Sequence, residues 1–292
     1  MLCRVSAVCA AGATLAVVPS TGSGAIPVPA EVPAAAPAST TANTAAAAIT
    51  SARLTVFRQS TGDWWFKPPS IAVTYGKAED IPVPGDYNGD KSTDLAVYRP
   101  STQEWWIRNI GRTKYGAPGD IPVPMDYDRD DKTDMAVFRP STGTWYVYRK
   151  AKVVYGGQGD IPVPENYVSN ARPEFAVWRP STGTWYIPGR EKVKFGTAGD
   201  IPVPANYSAR TRKAQFAVWR TSNGTWYIRS VGKVKFGDSN DVPVPGDYNR
   251  DRVSDLAVWR PSNGTWYVRG VAKAPWGMTG DIPIRISRRT AL

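Results

Sequence analysis

Between residues 51 and 286 short apolar runs alternate with polar turns, and the alternation carries a long period. Asp80–Pro84 (DIPVP) leads through a polar loop to Leu95–Arg99 (LAVYR), then to Trp105–Arg108 and Arg112–Tyr115. Runs of four or five residues rich in Val, Ile, Trp and Tyr, bounded by Gly, Asn, Asp and Ser, predict β-strands joined by tight turns. Ser-Thr-Gly or Ser-Asn-Gly marks the turn before the third strand at Ser141–Gly143, Ser181–Gly183, Ser222–Gly224 and Ser262–Gly264. The DIPVP run returns at Asp120, Asp160 and Asp200, as DVPVP at Asp241, and its first half at Asp281. The intervals are 40, 40, 40, 41 and 40 residues. Four antiparallel strands in each such unit predict the blade of a β-propeller.

The prolines orient the blade. Proline has no N–H to give to a ladder and belongs on an edge strand. Pro82 and Pro84 point their nitrogens to the same side, which leaves the amides of Ile81 and Val83 free to pair with the Leu95 run. The DIPVP strand is therefore predicted to be innermost, with an unpaired edge that resists unwanted pairing. Second strands begin at Leu54, Leu95, Met135, Phe175, Phe216 and Leu256, and each strand type occurs six times. The chain enters on a second strand and leaves on a first strand, so Asp281–Ile286 is predicted to close the ring against residues 53–76. The expected fold is all-β, a single propeller of about six four-stranded blades, with seven as the alternative.

Outside the repeats the composition changes. Met1–Arg4, the apolar run Val5–Val18 and Ser23-Gly24-Ala25 read as a signal peptide over residues 1–25. Residues 26–50 are almost entirely Ala, Pro, Thr and Ser, which predicts a disordered linker. Its Ile26–Pro29 copies the repeat's strand out of frame. Residues 287–292 form a basic tail. Cys3 and Cys9 both lie in the leader, so the mature chain is expected to use neither disulfides nor thiolate metal sites. A secreted or extracellular location follows, possible attachment to a cell surface included, with no transmembrane span in the mature chain.

The repeats GDYNGDKSTDLAV (from Gly85) and GDYNRDRVSDLAV (from Gly246) carry a family resemblance. They resemble the FG-GAP/VCBS repeats of integrin α-subunit-like propellers, above all secreted bacterial ones, and the resemblance extends over residues 51–286. It implies a propeller with calcium-binding loops and a recognition role. Integrin-like propellers have seven blades, so a count of six is a departure.

Asp86, Asn88, Asp90 and Asp94 occupy positions 1, 3, 5 and 9 of a nine-residue loop. Alternate oxygen-bearing side chains on a tight loop converge, and hard oxygen ligands at that density suit Ca²⁺. Asp126, Asp128, Asp130 and Asp134 repeat the set, as do Asp247, Asn249, Asp251 and Asp255. The resemblance adds a backbone carbonyl at position 7, which is Ser92, Lys132 or Val253. The family's usual glycine at position 6 is Lys91, Asp131 or Arg252 here. A solvated acidic turn is the plainer reading of one such loop; three in register favour calcium, with about three ions expected. Two further loops have lost the pattern, at Asn166, Val168, Asn170 and Glu174, and at Asn206, Ser208, Arg210 and Gln215.

Charge is uneven. The chain carries a net +11, and the unit 200–240 alone has seven basic and two acidic residues. Arg210, Arg212 and Lys213 in its loop are the candidate ligand-binding residues, as a patch for anionic polymer. The plainer account has Arg210 supplying in place the positive charge that calcium supplies elsewhere. Trp105, Trp145, Trp185, Trp226 and Trp266 recur at one place in every unit, which favours core over sugar stacking. Arg58, Arg99, Arg139, Arg179, Arg220 and Arg260 recur likewise and are expected to pair with carboxylates or stack on Trp.

Catalysis has little support. The chain has no histidine, and nothing marks Glu104 and Glu191, acids in the blades outside the repeated frame, as a pair. The expected function is a calcium-stabilised, non-catalytic module binding extracellular glycan, anionic polymer or protein. It is expected to act as a monomer without specific nucleic-acid recognition. The alternative is an accessory lyase or hydrolase of extracellular polysaccharide.

Overall fold

The computed structural model describes residues 54–67, 70–168 and 173–285. The expected signal peptide, linker (with Ile26–Pro29) and basic tail lie outside the described residues, as does Asn170. Six four-stranded antiparallel sheets form the blades of a six-bladed β-propeller, and the described residues contain no helix.

Blade 2 shows how the sequence makes one unit. Its strands are Ile81–Pro82, Ala96–Arg99, Glu104–Ile107 and Gly111–Lys114, hydrogen-bonded in that order. Ile81 pairs with Tyr98, and the Val83 amide donates to Ala96 O at 2.8 Å. The first strand is shorter than the DIPVP run, and beyond Pro84 the pairing resumes only as an isolated bridge between Gly85 and Asp94. The last strand is exposed along most of its length, whereas Ala96, Val97 and Tyr98 are buried, so the DIPVP strand is innermost. Blades 3 to 6 repeat the plan over residues 121–154, 161–194, 200–235 and 242–275.

Blade 1 is the composite. Asp281–Arg285 pairs antiparallel with Leu54–Arg58 over five residues, from Leu54↔Arg285 to Arg58↔Asp281. Asp63–Lys67 and Ile71–Thr74 complete it.

Between neighbouring blades lies the core. Trp64, Trp105, Trp145, Trp185, Trp226 and Trp266 are at most 1% exposed, and each indole N–H donates to a backbone carbonyl ten or eleven residues on, at 2.7–3.1 Å. A buried indole needs such an acceptor. Each core cluster draws on two adjacent blades. Leu54 and Val56 of blade 1 pack with Trp259 and Tyr248 of blade 6, while Phe57, Trp64 and Ile284 pack with Leu95 and Val97 of blade 2. The ring is closed by packing as well as by pairing.

A repeated ion pair ties the first and second strands. Arg58, Arg99, Arg139, Arg179, Arg220 and Arg260 each make a two-pronged contact to Asp281, Asp80, Asp120, Asp160, Asp200 and Asp241, with nitrogen–oxygen distances of 2.7–3.1 Å. The carboxylates are at most 1% exposed. Each guanidinium also lies over the ring of Trp65, Trp106, Tyr146, Tyr186, Tyr227 or Tyr267, 4.4–4.9 Å from its centroid. Pairing and stacking both occur, with Tyr in place of Trp in four blades. These arginines are structural.

Candidate metal-binding loops

Each of blades 2 to 6 joins its first strand to its second by one polar loop. The tyrosine at position 2 fixes it: Tyr87, Tyr127, Tyr167, Tyr207 and Tyr248 donate their hydroxyls to Val83, Val123, Val163, Val203 and Val244 O at 2.6–2.9 Å. The backbone N–H of the same tyrosine donates to a side-chain oxygen at position 9. That oxygen belongs to Asp94, Asp134, Glu174 or Asp255, and in the Asn206 loop, which has one residue inserted, to Gln215 at the equivalent place, at 2.6–2.9 Å. Position 9 is thus structural in all five loops, including the two that lost the carboxylate pattern.

The loops also interlock around the ring. Thr133 N–H donates to Asp86 O at 2.6 Å, Ala214 to Asn166 O at 2.7 Å and Ser254 to Asn206 O at 2.6 Å.

In the Asp86 loop the side chains turn inward. Asp86 accepts the Gly89 and Lys91 amides at 2.7 and 2.9 Å, and Asp90 accepts that of Ser92 at 2.7 Å. Asn88 Nδ2 lies 3.0 Å from Asp90 Oδ2 and 3.5 Å from Asp94 Oδ1. Asn88, Asp90 and Asp94 therefore converge on one point. The Asp247 loop repeats this: Asn249 Nδ2 lies 3.0 Å from Asp251 Oδ2 and 3.4 Å from Asp255 Oδ1. There Asp247 Oδ1 is buried without a hydrogen-bond partner, a costly arrangement for an anionic oxygen unless a cation completes it. Burial raises the Asp94 and Asp255 carboxyls, the tyrosine amides partly offset this, and the neighbouring aspartates add to it. Crowded, part-buried anionic oxygens on a fixed loop are a donor set that fits Ca²⁺.

The Asp126 loop differs. The oxygens of Asp126, Asp128 and Asp130 lie within 4.8 Å of one another. The ammonium of Lys150 reaches Asp128 Oδ2 at 2.5 Å, Asp134 Oδ1 at 2.6 Å and Asp130 Oδ2 at 3.5 Å. Burial lowers the Lys150 ammonium, but Asp128 and Asp134 outweigh it and raise it well above an ordinary lysine.

At position 6, Lys91, Asp131 and Arg252 adopt the left-handed φ values that glycine would take, 66°, 63° and 71°. Ser92, Lys132 and Val253 follow at position 7, with their amides donating to Asp90, Asp130 and Asp251 at 2.7–2.9 Å.

The loop at Asn206 corrects one expectation. Arg210 is exposed, and among the described residues no ion pair holds it against the loop, so the bracing there is not its work. Gln215 does the bracing: it accepts the Tyr207 amide at 2.6 Å and donates to Thr211 Oγ1 at 3.0 Å and Lys213 O at 2.8 Å. A neutral amide with its own donors needs no counter-charge. Arg210, Arg212 and Lys213 are exposed together on this loop, without an ion pair among the described residues.

No family model matches the chain, and no curated protein matches it. Two solved structures of BBS1N in complex with ARL6DN, soaked with mercury and with lead, are similar to it at 13% identity. Each likeness covers 82% of this chain and 88% of the other, with TM-scores of 0.48 and 0.49.

Proposed function

We propose that this chain is a secreted, calcium-stabilised propeller that acts as a non-catalytic binding module for an extracellular glycan, polyanion or protein. The observation that carries the calcium reading is the Asp247 loop, where a buried carboxylate oxygen without a partner joins three side chains converging on one point. Asp86, Asn88, Asp90 and Asp94 would hold an ion in blade 2, and Asp247, Asn249, Asp251 and Asp255 in blade 6, with Ser92 and Val253 offering carbonyls. The ion would add local charge neutralisation and rigidity to loops that already interlock around the ring.

The recurrent tryptophans and arginines are taken up by the core and the ion pairs, which leaves the loops as the variable surface. Propellers present such loops as recognition surfaces, and the exposed cations of the Asn206 loop favour an anionic ligand. Secretion rests on the leader-like residues 1–25.

A screen of glycans and polyanions against the full chain, with calcium and with chelator, tests this reading. Retention of an unchanged ligand in calcium is expected. Shortened products would replace the reading with a lyase or hydrolase, and an empty screen would remove the glycan and polyanion ligands.

A further inference from the structure

We infer that Lys150 is the built-in cation of the Asp126 loop, so that this loop takes no metal ion and the propeller binds two calcium ions rather than three. The inference rests on the calcium reading of the Asp86 and Asp247 loops.

Three observations carry it. First, the ammonium lies against three of the loop's four carboxylates, at 2.5, 2.6 and 3.5 Å. Two of these, Asp130 and Asp134, match Asp90 and Asp94, whose oxygens in blade 2 face Asn88. An incoming ion would have to displace a charge that is covalently present at high effective concentration and leave it beside a dication.

Second, Lys150 stands where the calcium-type loops have an apolar residue. It sits in the turn between third and fourth strands, with its amide donating to Val147 O at 3.0 Å. Ile110 donates to Ile107 O at 3.1 Å and Val271 to Val268 O at 3.1 Å in the same turns of blades 2 and 6. The backbone position is the same and the side chain is not.

Third, the exchange is double. Position 3 is Asn88 or Asn249 where the turn carries Ile110 or Val271, and Asp128 where it carries Lys150. The added lysine comes with an added carboxylate, and the two form the 2.5 Å pair. One charge introduced with its own counter-charge is the mark of an internal ion pair. An isolated lysine in that place would repel a cation from an otherwise intact site.

Loop-specific variants of the full chain decide the matter, read by equilibrium dialysis against calcium and by melting in calcium and in chelator. Wild type is expected to bind two ions, Asp90→Ala and Asp251→Ala one each, and Asp130→Ala still two. Asp128→Asn/Lys150→Ile gives blade 3 the pattern of its neighbours and is expected to bind three. The reciprocal Asn88→Asp/Ile110→Lys is expected to bind one, which keeps the test open if the first double variant does not fold. Three ions in wild type, or loss of one on Asp130→Ala, overturns the inference and leaves the calcium reading intact. No ions in any of these proteins sinks the calcium reading and the count of two with it. Single Lys150→Ile is expected to melt lower than wild type in chelator, and equal melting there refutes the ion pair alone.

Discussion

Deleting residues 281–292 should open the ring. Asp281–Arg285 supplies blade 1 with its innermost strand, paired over five residues with Leu54–Arg58. Ile284 is 1% exposed, and burying such a side chain contributes about 1.5–3 kcal/mol. Ladder hydrogen bonds contribute roughly 0.5–1.5 kcal/mol each, and three or four would go. The deletion also strands Arg58, whose side chain is 21% exposed, so that loss is discounted for solvent screening. Uncovering Leu54, Val56 and Phe57 adds to the cost. Together these come to about 5–8 kcal/mol, against about 5–15 kcal/mol for a whole domain. A domain of this size loses about 2–4 °C of melting temperature per kcal/mol, so the truncated chain should melt at least 10 °C lower, on the order of the sum above, or fail to fold. Urea denaturation followed by tryptophan fluorescence measures the loss directly. Ile284→Ala alone should cost about 2–5 kcal/mol by the cavity it leaves. A truncated protein that melts with the full chain would refute closure by this strand.

Other consequences are as specific. Arg139→Leu leaves the fully buried Asp120 carboxylate without its counter-charge and should cost about 3 kcal/mol in urea denaturation. Asp120→Asn should cost less, and Asp120→Leu/Arg139→Leu should recover most of the loss; equal costs for both single changes would contradict the asymmetry. Arg252, at φ 71°, pays the left-handed penalty, so Arg252→Gly should raise stability by up to about 1 kcal/mol, and a drop in melting temperature would count against it. Arg210→Ser/Arg212→Ser/Lys213→Ser should elute earlier from an acidic polysaccharide column than wild type, whose retention should fall steeply with salt. Equal elution would leave these residues merely solvated.

Much of this architecture is legible in the order of the residues. Prolines two apart place the inner strand, and a Trp at one register position in every unit marks the core. What sequence cannot choose is the partner of each arginine. Arg99 lies 19 residues from Asp80 and has loop carboxylates and Trp106 within plausible reach, so only the fold selects the buried Asp. The signal is nonetheless present, because Asp heads and Arg ends the paired strands in all six blades. Position 9 misleads in another way. Asp94, Glu174 and Gln215 share a backbone-bracing task, so an oxygen there is weak evidence for an ion. The column reads Ile110, Lys150, Arg190, Val231 and Val271, so charge alone does not single out Lys150, and its reach back to the loop requires the hairpin's geometry.

Completion of these loops by an ion is the central claim. The most direct measurement is the melting temperature of the full chain in millimolar calcium and in excess chelator, beside Asp90→Ala/Asp251→Ala. Binding to the native state alone stabilises by about 2.7 kcal/mol per site at a hundredfold excess over Kd, and by less at the millimolar affinities common in extracellular modules. Wild type should melt several degrees higher in calcium, and the double variant should melt at one temperature in both. Coincident wild-type curves would contradict the claim.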